Sequence, residues 1–299
     1  MAAVTGQLAA LAAALLWAVA SLAYGRLGQS ASPLQLNLLK GLVAIALLGL
    51  TLLLVGQPLP ATGPLPPALL ALSGVLGIGI GDTAFFAALV RLGARRALLL
   101  ETLAPPLAAL LAWGALGEAL AAAAWAGIGL TVLGVAWVIS ERTPAAAIAR
   151  EQAKQGIGWG LLAAAAQAGG AVLSRAALAG SALSPLWGAL LRLSAGTLLV
   201  AGLLGAWQWR RSGRASWPHW SPRFLGAITL TASGSTYLGI WLQQTALKLA
   251  PAGIAQTLGA TSPLFVLPIA VSLGERVSGR AVLGALVAVG GIALLFGSR

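Results

Sequence analysis

At 299 residues, 59% of them hydrophobic and 8% charged, with a mean hydropathy of +0.92, the chain lacks the roughly 25% of charged residues that a soluble domain carries and reads as a bilayer protein. Its net charge of +12 is scattered as single cations and short clusters between apolar segments, without the basic stripe of a nucleic-acid binder, so nucleic acid is excluded as a partner. With no cysteine and one histidine, His219, in a polar stretch, disulfides, thiolate chemistry and a Cys-ligated metal are excluded, and no metal or cofactor is expected.

In chain order, apolar segments separated by turn or charge signals fall at 6–25, 34–55, 68–90, 97–117, 122–140, 157–179, 186–207, 224–247, 253–273 and 280–297. Each is close to the roughly 20 residues that a helix needs to cross about 30 Å of hydrocarbon. Because they are continuously apolar and lack in/out alternation, they predict helices rather than barrel strands. The first has no Lys or Arg before Arg26 and is expected to be a spanning helix rather than a cleaved signal. The prediction is an all-α integral membrane protein of ten transmembrane helices, with polar loops at 140–156 and at 210–223, the second carrying Trp217 and Trp220.

The chain repeats itself. Ser32-Pro33 opens a segment with Lys40 seven residues after the proline, and Ser184-Pro185 opens one with Arg192 at the same spacing. A shift of 157 positions lays 88–118 on its counterpart without a gap, matching Arg91 to Lys248, Pro106 to Pro263 and Glu118 to Glu275. The same shift carries Gly127 and Gly134 onto Gly284 and Gly291. The units are 1–140 and 157–299, joined by a polar loop at 141–156. Each holds an odd number of spans, so the second must enter the membrane from the opposite side, giving an inverted repeat, the usual basis of alternating access.

These doubled motifs, proline with a terminal Gly-Glu and two later glycines, resemble the ten-helix EamA-type branch of the drug/metabolite transporter superfamily over essentially the whole chain. The resemblance implies a helical basket around a central cavity between the halves, moving amino acids, nucleotide sugars, organic phosphates or similar solutes. It also implies cytoplasmic termini, whereas loop charge points the other way. Thirteen Lys and Arg follow the odd-numbered spans and three lie on the other side, which places both termini outside.

Ionisable groups within spans are costly and normally face a cavity or a partner. Lys40 and Arg192 are candidates for gripping a carboxylate or phosphate from opposite halves; the alternative is that both snorkel to headgroups. Asp82, in GIGIGDTAFF beside Gly77 and Gly81, is a candidate for proton coupling or for neutralising Lys40 or Arg91. Glu101, matched by Leu258 in the second half, is a second coupling candidate, or a carboxylate held by a helix N-terminus. Glu118 and Glu275 are expected to be boundary or loop-bonding residues.

Trp17, Asn37, Gln167, Tyr237, Trp241 and Gln244 are further candidates for lining the cavity, together with Gln243 and Gln256, because polar groups inside spans need partners away from lipid. Trp17 and Gln167 occupy corresponding places in the two halves. Pro105, Pro106, Pro263 and Pro268 are expected to distort the fourth and ninth spans.

With no nucleophile, base or metal cluster at a defended site, an enzyme is not expected. The reading is a multi-pass carrier of the cell inner membrane, compatible with a monomer, that exports an amino acid or other small zwitterionic or anionic solute. Cation or drug efflux by proton exchange at Asp82 or Glu101 is the alternative within transport, and a membrane scaffold the alternative outside it.

Overall fold

The computed structural model describes residues 2–28, 30–58, 60–92, 94–140, 150–212, 220–265, 268 and 279–297. His219, Trp217, Gly274, Glu275 and the end of the expected 253–273 span lie outside them. Among the described residues every regular element is helical, as the uninterrupted apolar segments require.

The helices are α1 (Ala2–Leu27), α2 (Pro33–Val55), α3 (Leu65–Gly74) and α4 (Thr83–Leu92), the last two joined without a break through a π-helical segment, Val75–Asp82. They continue as α5 (Ala94–Glu101), α6 (Ala104–Leu116), α7 (Ala122–Ser140), α8 (Arg150–Leu178) and α9 (Pro185–Ser212). Then come α10 (Pro222–Ala232) and α11 (Gly239–Leu249), joined by a second π segment, Ser233–Leu238, and finally α12 (Ala252–Gly259) and α13 (Gly279–Gly297).

Among the described residues, seven helical stretches are long and apolar enough to cross a membrane: Ala2–Ser21, Pro33–Val55, Leu65–Leu92, Ala97–Leu116, Glu151–Leu178, Pro185–Arg210 and Gly279–Gly297. A shorter apolar helix covers Ala122–Trp137. The stretch from Pro222 to Leu249 is diluted at its middle by Thr229, Thr231, Ser233, Ser235 and Thr236.

Helix starts follow local chemistry. Ser32 caps α2, its hydroxyl accepting from the Gln35 N–H while the Gln35 side chain accepts from the Ser32 N–H at 2.9 Å, and Pro33 supplies a first-turn residue with no N–H to satisfy. Ser184 and Ser221 cap α9 and α10 with the hydroxyl alone, which accepts from the Trp187 and Phe224 N–H respectively, each serine followed by proline. The fourth span breaks between Glu101 and Ala104, just before Pro105 and Pro106, and the ninth breaks after Gly259, before Pro263. Pro105, Pro106 and Pro263 follow these breaks, the distortion expected of residues whose missing N–H leaves a carbonyl unpaired, while Pro268 lies in helical backbone.

Several helices outrun their apolar segments: α1 begins at Ala2 rather than 6, α9 runs to Ser212 rather than 207, into the expected 210–223 loop, and α8 begins at Arg150, seven residues before the predicted 157. The stretch REQAKQ is polar, but its residues are good helix formers, so it extends the helix beyond its apolar length.

Packing inverts the soluble pattern. The largest buried cluster is built mainly of alanine, including Ala9, Ala109, Ala168, Ala246 and Ala255, while Leu53, Leu54, Leu198 and Leu230 are largely exposed. Small residues let helix backbones approach where no hydrophobic force separates protein from lipid. The contacts recur when the halves are exchanged: α1 packs along α11 as α8 packs along α4, and α2 meets α9, α6 meets α12 and α7 meets α13. The α7–α13 contact uses the four glycines matched in sequence. A methyl group on Gly134 would lie 2.6 Å from the Gly284 carbonyl, and one on Gly291 would lie 2.5 Å from the Thr131 nitrogen.

Candidate substrate site

The two π segments lie at equivalent places in the repeat, since the 157-residue shift carries Ile78 onto Ser235. A π turn has one residue too many for the α ladder and displaces carbonyls from it, which is why such turns gather at functional sites. Both displaced carbonyls are taken up by side chains: the Asn37 amide donates to Ile78 O at 2.8 Å, and the Trp17 indole donates to Ser235 O at 2.8 Å.

Asp82 closes the first π segment, and both of its oxygens are engaged. Lys40 donates to Oδ2 in an ion pair, and Gln167 donates to Oδ1 at 2.8 Å. The Lys40 ammonium also lies 5.6 Å from the centre of the Phe86 ring. Lys40 is 7% exposed and Arg192 2% exposed, so neither snorkels to headgroups. Of the readings open for Asp82, pairing with Lys40 is the one observed.

Arg192 occupies the matching place in the second half but has no carboxylate in hydrogen-bond contact. Gln243 accepts from its Nη1 at 3.4 Å, and its Nε has no hydrogen-bond partner among the described residues. Glycine makes room for it: side chains on Gly74 and Gly77 would collide with the Arg192 backbone and guanidinium respectively. From Gln243 the contacts run to Gln256 at 3.3 Å and on to the Gln167 carbonyl at 3.4 Å. These bonds are long against the usual 2.9–3.0 Å. A guanidinium with five donors is therefore buried yet poorly satisfied, on a network that ends at Asp82.

Glu101 is half-buried, makes no hydrogen bond among the described residues, and lies within electrostatic reach of Asp82. Lys40, Asp82 and Arg192 are thus joined through Gln167, Gln256 and Gln243, while no hydrogen bond joins Glu101 to them among the described residues.

The halves depart from symmetry at one place. The residue matching Asp82 is Gly239, and the Trp17 indole lies over it, with Nε1 2.7 Å from where a methyl group would stand. The first half has Gln167 on Asp82; the second has Trp17 on glycine. Charge is thereby concentrated on one side of the repeat.

The remaining candidates separate. Asn37 braces the π segment, bonding Thr83 as well at 3.1 Å. The Tyr237 hydroxyl pairs with Thr51 at 2.8 Å, and its ring lies 6.2 Å from that of Trp241. Gln244 is fully buried between helices, with neither amide atom hydrogen-bonded among the described residues.

Sequence reasoning did not foresee the part played by Arg175. It donates to Glu118 at 2.5 Å and to the carbonyls of Leu247 and Lys248 at the end of α11, while Glu118 accepts from the first N–H of α12 at 2.9 Å. The loop-bonding role expected of Glu118 is thus a tie between the halves. Replacing Glu118 with Ala strands Arg175 and uncaps α12, and is expected to cost about 2–3 kcal/mol, read as a lower melting temperature of the detergent-solubilised protein. A Glu118→Ala protein melting like the wild type would show that the tie contributes nothing.

An alanine-cored bundle with lipid-facing leucines and a charged, incompletely satisfied interior defines a polytopic helical membrane protein of the transporter type. The chain belongs to the EamA-like transporter family, whose model matches residues 4–140 and again 154–297, which also places it in the drug/metabolite transporter superfamily. A search of curated proteins finds no match. Among solved structures, one described only as "Crystal structure of protein" superposes with a TM-score of 0.78 at 21% identity, covering 98% of this chain and 97% of the other; at that identity the likeness shows the fold.

Proposed function

We propose that this transporter is an exporter of a small anionic or zwitterionic solute, such as an amino acid, working by alternating access. The observation that carries the reading is Arg192, buried among helices and, among the described residues, holding one long hydrogen bond with no partner for its Nε. A substrate carboxylate would supply the bidentate partner that the guanidinium lacks. Asp82, on the same network, and Glu101 suit an ammonium group, and Trp17, Tyr237, Trp241 and Gln244 are assigned to the apolar and amide lining. Ten spans in two inverted five-helix repeats, with 141–156 as the connector, would let the halves rock about this locus, in a monomer of the plasma membrane.

In proteoliposomes supplied with the transported solute, Arg192→Ala is expected to lower kcat/KM by at least about tenfold, as loss of a charge-assisted pair implies, with Arg192→Lys recovering part of it. Normal transport by a folded Arg192→Ala protein would remove the anchor. A second reading, favoured by Glu101 as a second half-buried carboxylate with no hydrogen-bond partner among the described residues, is cation efflux in exchange for protons. It requires Glu101→Gln, rather than Arg192→Ala, to abolish transport.

Orientation has its own test. Arg26, Arg91, Arg210 and Arg223 lie at the ends of α1, α4, α9 and the start of α10, on the arginine-rich side, which we assign to the cytoplasm. The chain has no cysteine, so Lys154→Cys introduces a single thiol. It is expected to resist a membrane-impermeant maleimide in intact cells and to react after lysis; labelling in intact cells would reverse the assignment.

A further inference from the structure

A cleft of about 480 Å³ opens at the arginine-rich end of the bundle, between α2, α4, α8 and α9. Leu34, Ala87 and Leu204 give it an apolar wall, and Arg91, Trp159 and Trp207 give it a polar rim. Trp159 and Trp207 are 38% and 47% exposed, as tryptophans are where headgroups meet acyl chains. Arg91 is half-buried, and among the described residues its one hydrogen bond runs from Nη1 to Ala87 O in its own helix, at 3.1 Å. That bond holds the guanidinium at the rim, and its other donors have no hydrogen-bond partner among the described residues. Exposed Arg26, Lys154, Arg210 and Arg223 surround the same end of the bundle.

We infer that this cleft is a binding site for an anionic phospholipid, whose phosphate is held by Arg91 and whose acyl chain lies along Leu34 and Ala87. The charge is complementary, since a guanidinium grips phosphate in two places at once, and basic pockets between helices on the cytoplasmic side recruit anionic headgroups. The apolar wall distinguishes a lipid from a soluble anion. Thr83 also lines the cleft, one residue after Asp82, so the occupant rests on the helix that carries the buried carboxylate.

The test is the melting temperature of the purified full chain in detergent, titrated with phosphatidylglycerol, with phosphatidylcholine of the same chains, and with glycerol phosphate. Phosphatidylglycerol is expected to stabilise the protein and the other two are not. The concentration for half the effect should rise about tenfold in Arg91→Gln, and likewise in Leu34→Trp, which fills the cleft without touching the charge. Arg223→Gln, outside the cleft, should match the wild type. Equal stabilisation by phosphatidylcholine, an equal shift with glycerol phosphate, or an unchanged phosphatidylglycerol titration in both cleft variants would each overturn the assignment.

Discussion

Asp82→Ala is expected to be the most damaging single substitution in the chain. It strips Lys40 of its carboxylate at a site where the ammonium is 7% exposed and leaves the Gln167 amide without its 2.8 Å acceptor. Removing one member of a buried pair costs about 3–5 kcal/mol, because the remaining charge has neither water nor a partner. The cation–π contact with Phe86 recovers little of that, as such contacts are worth about 0.5–2 kcal/mol and are already present. The double variant Lys40→Met with Asp82→Asn is the informative control. It removes both charges, keeps an acceptor for Gln167, and is expected to melt well above Asp82→Ala. If the double variant is no more stable than Asp82→Ala, the damage comes from lost shape rather than from a stranded charge.

The second large effect is expected from Gly74→Ala. A methyl group there falls on the Arg192 carbonyl, a backbone atom in the middle of α9, and Gly196 of the same helix already stands with its own Cβ position 2.6 Å from the Gly74 carbonyl. Neither helix has a flexible side chain to move aside, so the pair must separate, at or beyond the roughly 3 kcal/mol upper range of overpacking costs. Separation also withdraws Arg192 from Gln243, so transport should fall together with stability. Gly114→Ala, with nothing within 4 Å, should be neutral or slightly stabilising, since alanine is the better helix former. Equal melting temperatures for the two variants would contradict the close approach of α3 and α9.

Much of this arrangement is legible in the residues themselves. Segment lengths and composition give the helical class, and the Ser-Pro spacing gives the matched places of Lys40 and Arg192. Of the two glycines singled out beside Asp82, Gly77 makes room for the Arg192 guanidinium and Gly81 faces Ala166 and Gln167. What is not legible depends on registry between helices. No local pattern in VLGIGIGD or SGSTYL marks a π turn; those turns exist because Asn37 and Trp17 arrive from other helices to bond the displaced carbonyls. Phe86 reads as one more apolar residue until Lys40 is set over it, and Arg175 reads as loop charge until α8 brings it to Glu118. Polarity alone misplaces the start of α8, where helix propensity was the better guide.

The central claim is that Arg192 anchors an anionic group of the transported solute. Its most direct test is a thermal-shift screen of the purified protein against amino acids, organic phosphates, nucleotide sugars and cationic drugs, in wild type and in Arg192→Ala, because a ligand that binds only the folded state raises its stability. The account predicts that a carboxylate- or phosphate-bearing class stabilises the wild type and that Arg192→Ala loses the shift. Stabilisation by the cationic drugs alone, equal in both proteins, would contradict it.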